Sequence, residues 1–428
     1  MSRRLLRIIA INVVLFLALA ELAALFIYYV ENGALFYTHR KAYELIPETA
    51  EQKLTREGLH PYFGPTHAPG APFEIPASMR DATIPARAVT NNFGFVSAHD
   101  YPFTKTHDNQ FVVGLFGGSV GVWFCQIGAV RLVQDLQANA FFKGKELVPL
   151  CFAHEGYKQP QQLLELAYFL SIGQQFDLVV NIDGFNEVAL SALNDRQGFD
   201  ISMPSAQHIG SLINLVDQAT LTPEKLQSLA AIDRDKRRLN GLVGRIQRNP
   251  IALVNFVLER DYRRTERRYV LELGRFSNLP SNPSSSSLIT VTRPVARREG
   301  AALFADIAAQ WADASILMNE LLAAGRVPYF HVLQPNQYFA TTRTFGGDES
   351  EVAISRESPY KASVEQGYPL LIKEGESGRL KGKSFFLNGV RVFDGESKPV
   401  YADNCCHYTL LGNQKVADVV AAAILKTF

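Results

Sequence analysis

Cysteine is scarce in this chain of 428 residues: Cys125, Cys151, Cys405 and Cys406 are all there is. There is no C-x-x-C and no histidine pair at metal-ligand spacing, which argues against a structural zinc site. Four cysteines allow three pairings, and the sequence prefers none of them to a fully reduced chain. Charge of one sign is also lacking, with 43 Lys and Arg against 42 Asp and Glu and a net charge of +1. Such a balance supplies no chain-wide field for nucleic acid. Disorder is excluded as well, because hydrophobic residues make up 47% and charged residues only 20%. No internal repeat is visible.

What is present begins with a long apolar run. "MSRRLLR" places Arg3, Arg4 and Arg7 ahead of Ile8 to Val30, whose strongly polar members are Asn12 and Glu21. As a helix these 23 residues extend about 34 Å, enough to cross a bilayer core. "ALA" at Ala18 to Ala20 resembles a signal-peptide cleavage site, but the apolar run continues ten residues further. The length favours an uncleaved anchor. The arginines ahead of it predict a cytoplasmic tail at 1–7 and export of everything after Val30.

Beyond the anchor, 31–108 has weak periodicity and a Pro/Gly-rich stretch at His60 to Pro76, and it reads as an exported spacer or wrap. From 109 onward, short apolar runs alternate with helical patterns. Strands are expected at Gln110 to Gly117, Lys145 to Ala153, Phe176 to Gly184 and Val327 to Gln334. That alternation predicts an α/β domain with a parallel sheet. Between the third and fourth strands, about 189–298, the connection is too long for a loop and reads as a helical insertion. Within it Arg234 to Arg268 holds eleven basic residues against four acidic ones, and Ser277 to Ser287 reads as a tether. The basic stretch suits a lid, a surface for anionic glycan or lipid headgroups, or a solvated helical face.

Chemistry concentrates at "GGSVG", Gly117 to Gly121, where the first strong strand ends in a turn and a helix begins. The motif fits the nucleophile elbow of α/β-hydrolases, whose serine follows several earlier strands. Here Ser119 ends the first strand, and "YADNCCHYTLLGN" supplies Asp403 and His407 close together near the end of the sequence. "AHEGYKQPQQ" sets Gly156 after the second strand, and "NIDGFNEV" sets Gly184 and Asn186 after the third. In this order the blocks resemble those of the SGNH (GDSL-type) hydrolases, over Gln110 to Gly184 and the last hundred residues. The resemblance implies a three-layer, flavodoxin-like core.

It also implies a catalytic triad of Ser119, His407 and Asp403, with an oxyanion hole made by the amides of Ser119 and Gly156 and the Asn186 side chain. Three positions depart from the family pattern. Gly118 stands where an Asp is usual, Glu187 replaces the Asp after the oxyanion asparagine, and the last acid is four residues before the histidine, with Asn404 in the usual place. The resulting expectation is a serine esterase or deacylase of the inner membrane with its domain in the periplasm. Its substrates would be O-acyl esters, above all O-acetyl, of envelope glycans or lipids. The same triad serves an O-acetyltransferase, which a separate acetyl-donor membrane protein would supply. The departures also admit a non-catalytic scaffold of the same fold that binds an envelope glycan or partner. No metal, cofactor or nucleic acid is expected.

Overall fold

The computed structural model describes residues 3–38, 40, 43, 57–209, 222–279, 298 and 300–428. The chain divides into two compact units, Met1–Lys53 with Asp217–Ile289, and Leu54–Val216 with Thr290–Phe428. In chain order the strands are β1 (Glu57–His60), β2 (Gly64–His67), β3 (Pro72–Glu74), β4 (Arg87–Val89), β5 (Gln110–Gly117), β6 (Glu146–Cys151), β7 (Leu178–Asp183), β8 (Tyr329–Leu333) and β9 (Phe385–Asn388). The α-helices are α1 (Arg3–Asn32), α2 (Ser119–Trp123), α3 (Ala129–Gln137), α4 (Gln161–Ser171), α5 (Phe185–Arg196), α6 (Pro223–Arg248), α7 (Ala252–Asn278), α8 (Ala301–Ala323), α9 (Gly347–Ala353), α10 (Lys361–Glu376) and α11 (Leu410–Ile424).

The larger unit is built on a five-stranded sheet in the order β6-β5-β7-β8-β9, every pair parallel. β5 is buried at all its positions, which is why it reads as one continuous apolar run and not as an alternation. Its side chains still divide by pleat. Phe111, Val113 and Leu115 join one apolar cluster with Val180, Ile182 and Trp311, while Val112 and Phe116 join another with Val148, Val179 and Phe169. Leu178, Val179 and Val180 are wholly buried, each contributing roughly 1.5–3 kcal/mol of transfer free energy. The four expected strands are present, the first with the expected bounds and the other three with ends trimmed by one or two residues. The fifth, β9, was not expected: it has four residues, none of them buried, at the sheet edge.

Two boundaries need correction. The expected spacer is part of the larger unit from Leu54 on, with antiparallel ribbons β1–β2 and β3–β4 and with Phe63, Phe95 and Tyr101 buried against Phe152. The insertion was expected to begin at 189, yet α5 runs to Arg196 and buries Ala189 and Ala192 in the core. The separate segment begins later, at Asp217. The serine-rich tether lies outside the described residues from 280 on.

The smaller unit consists of α1 and the hairpin α6–α7. Thr222 starts α6 by accepting the Lys225 amide, and Pro223 sits at the first helical position. Leu239, Leu242, Val243 and Ile246 of α6 pack on Tyr262 of α7. α1 is long and apolar enough to cross a membrane, with a mean hydropathy of 2.5 and almost all of it exposed. α8 reaches 1.2 by the same measure, but it is a half-buried core helix carrying Trp311.

Candidate active site

β5 delivers Ser119. The strand stops at Gly117, Gly118 occupies the N-cap position, and Ser119 opens α2. The helix continues without a break through a π turn, Phe124–Gly128, into α3. A disulfide between Cys125 and Cys151 ties that turn to the end of β6, choosing one pairing where the sequence chose none. Cys405 and Cys406 remain thiols, their sulfurs 3.3 Å apart.

His407 reaches the serine from the loop before α11. Its Nε2 lies 2.7 Å from Ser119 Oγ and its Nδ1 2.5 Å from Asp403 Oδ2. The other Asp403 oxygen accepts the backbone N–H groups of Cys405, Cys406 and His407 at 2.9, 3.1 and 3.2 Å. This ring of amides explains the four-residue spacing. The loop curls round one carboxylate oxygen and presents the other to the imidazole, while Ala402 N–H donates to His407 O to close the turn. Asn404 takes no such place; it is exposed, and its carbonyl accepts from the Tyr338 hydroxyl.

The electrostatics follow from this geometry. Burial works to raise the Asp403 pKa, but the hydrogen bond and charge of His407, helped by the loop amides, hold it below the ordinary value. Burial likewise opposes the imidazolium, yet the bond to Asp403 and its charge hold His407 above its ordinary 6.5. A base that works only when neutral loses function as pH falls through its own pKa. The acid limb of kcat/KM should therefore lie above 6.5 and move downward in Asp403→Asn. A pH–rate profile with its limb at or below 6.5, or unmoved by the substitution, contradicts this assignment.

Asn186, one of the proposed oxyanion donors, lies against Gly118, the residue before the serine. Asn186, in the first turn of α5, donates from Nδ2 to Tyr157 O at 2.7 Å, which leaves its second N–H. A Cβ on Gly118 would stand 2.1 Å from that Nδ2 and 3.0 Å from Tyr157 O. Position 118 therefore lacks a side chain because Asn186 fills the space, which accounts for the missing Asp. Substituting the acid of the family pattern, Gly118→Asp, should lower turnover by about 10²–10³-fold, the scale of one lost oxyanion donor. Steady-state kinetics showing unchanged or higher turnover would remove Asn186 from the site.

Glu187 is accounted for in the same way. It caps α5, its two carboxylate oxygens accepting Gln159 N–H at 2.8 Å and Gly184 N–H at 2.7 Å. Burial and the nearby Asp183 charge push its pKa up to about 8. Gly156 has φ +76, and a Cβ there would meet the His208 ring at 2.4 Å. Its glycine is set by backbone conformation and by His208, beyond the close substrate approach that the sequence suggested.

Around this loop gather side chains that sequence spacing could not connect. His67 Nε2 of β2 lies 3.0 Å from Glu155 Oε2, and His154 Nδ1 lies 3.7 Å from the same oxygen. Burial works to raise Glu155, but the His67 hydrogen bond and the His154 charge bring it to about 2. Burial pushes His154 down to about 4. Glu155 is thus a carboxylate beside a neutral His154 imidazole, with donor atoms of His67, His154 and Glu155 all within 4.8 Å. A divalent transition metal fits such a donor set, and the His67–Glu155 contact also fastens β2 to the loop of Gly156. The Trp123 ring stands 6.4 Å from that of His407 and 5.3 Å from that of Phe73, a half-buried aromatic wall.

No family model matches the chain, and no curated protein matches it. Its chemistry is therefore read from its own residues. Ser119, Asp403 and His407 come together, Asn186 stands against Gly118, and Gly156 lies one residue before Tyr157, whose carbonyl Asn186 holds. Sequence reasoning missed His67, Glu155, His208 and Trp123 as neighbours of the site. The adjacent "HE" in the Gly156 loop was the available signal for Glu155; the others have none.

Proposed function

We propose that this chain is a membrane-anchored serine hydrolase of the SGNH type, acting through an acyl-serine intermediate on O-acyl esters of envelope glycans or lipids. The observation that carries this reading is the unbroken line from Ser119 Oγ through the His407 imidazole to Asp403. Nε2 takes the hydroxyl proton as Oγ attacks the acyl carbonyl, and Asp403 holds Nδ1–H and stabilises the imidazolium. Charge on the carbonyl oxygen is met by the amides of Ser119 and Gly156 and the free Asn186 N–H. Collapse expels the alcohol, which takes the proton back from Nε2. Water then attacks the acyl-serine, with His407 again as base, and releases the acid.

The parallel sheet flanked by two apolar clusters agrees with the three-layer core of that family, and α1 agrees with a single-pass anchor in the inner membrane. The arginines before α1 favour a periplasmic domain. The Trp123–Phe73 wall supports a sugar ring as the part of the substrate beside His407, since apolar sugar faces pack on indole. The test is incubation of the purified full chain with an activated acetyl ester, with and without an envelope glycan acceptor. Ser119-dependent free acetate supports hydrolysis. Acetylated glycan formed faster than acetate shifts the assignment to transfer, and neither product removes the enzyme.

A further inference from the structure

Two features remain without a role: the carboxylate inside the apolar span and the basic hairpin. They meet. Glu21 Oε1 accepts the Ala252 N–H at 2.7 Å and Oε2 accepts the Leu253 N–H at 2.8 Å. The span's one carboxylate thus caps the N-terminus of α7, where unpaired amides and the helix dipole favour an anion. A second contact fixes the direction of the pair. Arg263 is 11 residues after Ala252 and Glu31 is 10 after Glu21, and Arg263 Nη2 lies 2.8 Å from Glu31 Oε2. Nearly equal intervals of the same sign on both helices mean that α1 and α7 run parallel over about 15 Å.

We propose that the α6–α7 hairpin is a membrane-embedded element whose tip, Asn249 to Val257, enters the phospholipid leaflet at which α1 ends. The inference goes beyond the enzymatic reading and rests on α1 spanning a bilayer. Thirty ångströms of hydrocarbon measured from Ile8 end near Ile27, so Glu21 lies about 9 Å inside. The α7 residues at that depth suit lipid. Ile251, Val254 and Val257 are exposed and apolar, 47%, 41% and 60% accessible. On α7 charge begins one turn higher, with Arg260 and Arg263 exposed at the level of Tyr28 to Glu31 and Arg264 and Arg267 exposed beyond it, where headgroup phosphates lie.

The tip also meets the demand that polar backbone in lipid be satisfied from within. Pro250 has no N–H, Asn249 N–H donates to Arg245 O, and Asn255 N–H donates to Ile251 O. The side chains of Asn249 and Asn255 bond to each other and to the Ile251 and Asn249 carbonyls. Arg248, the last charged residue of α6, folds back along the helix with Nε on Gly244 O, as a cation does when it reaches out of hydrocarbon. The basic excess then serves the phosphates of the leaflet.

The experiment places single tryptophans in the full chain reconstituted in phosphatidylcholine–phosphatidylglycerol vesicles, with acyl-brominated lipid as quencher and the wild-type emission subtracted. Phe16→Trp reports the span, Ile251→Trp the tip, and Leu229→Trp a site some 28 Å up α6. Quenching at 16 and 251 but not at 229 is the expected result. Quenching at 16 without quenching at 251 overturns the proposal and leaves the anchor standing; no quenching at 16 removes both. Adding Glu21→Leu to Ile251→Trp should lower the quenching, whereas Glu21→Gln, which keeps an acceptor oxygen, should retain most of it. Equal quenching in all three backgrounds would show that Glu21 does not dock the hairpin.

Discussion

In Ser119→Ala, covalent labelling by a fluorophosphonate should vanish and ester turnover should fall by roughly 10⁴–10⁶-fold, the cost of removing a nucleophile that works as a unit with its base. The substitution is small and the site half-exposed, so the fold should be retained. His407 then loses its partner at Nε2 and keeps Asp403 at Nδ1. Labelling that persists in the variant would move the nucleophile elsewhere. An absence of labelling in folded wild-type protein would leave a binding scaffold as the reading. In-gel fluorescence beside circular dichroism distinguishes these outcomes.

Asp403→Asn should lower turnover by about 10⁴-fold, because an amide can hold the imidazole in the wrong tautomer. Asn404→Ala should leave turnover within a few-fold, since only the backbone of Asn404 is engaged. Asp403 has a second task, as its Oδ1 collects three amides that shape the loop. Asparagine retains an acceptor oxygen for those amides, which is why it is preferred to alanine as the test. A larger loss in Asn404→Ala than in Asp403→Asn would mean that the acid is wrongly assigned. Kinetics on both variants, with melting temperatures measured alongside, would settle the order.

Much of the sheet was legible because β5, β7 and β8 are buried on both faces and so stand out as short apolar runs. β9 was not, because its residues at the sheet edge are partly exposed and carry no such signal. The proposed triad was legible as types and order, but the spacing of Asp403 and His407 made the acid ambiguous. Three backbone amides on one Asp403 oxygen account for that spacing, and backbone amides leave no mark in a sequence. Gly118 and Glu187 looked like defects until their neighbours were known: Asn186 fills one space and helix capping employs the other. His67 and His208 lie far from the Gly156 loop in sequence, so only the folded chain brings them to it. The basic hairpin was legible as a composition, whereas its parallel alignment with α1 rests on two contacts more than 230 residues apart.

The larger unit is assembled from two stretches of chain, Leu54–Val216 and Thr290–Phe428, and this division sets the order in which its chemistry appears during synthesis. β5, β6 and β7 emerge first, carrying Ser119, Gly156 and Asn186. β8, which pairs with β7, and the loop of His407 come only after the hairpin has been made, with Ser119 and His407 288 positions apart. A nascent or prematurely terminated chain can therefore display Ser119 and the proposed oxyanion donors while lacking His407. Such contacts of high sequence separation form late and fold slowly. On the proposed function, reactivity toward esters would be the last property the chain acquires, long after its first helix has been made.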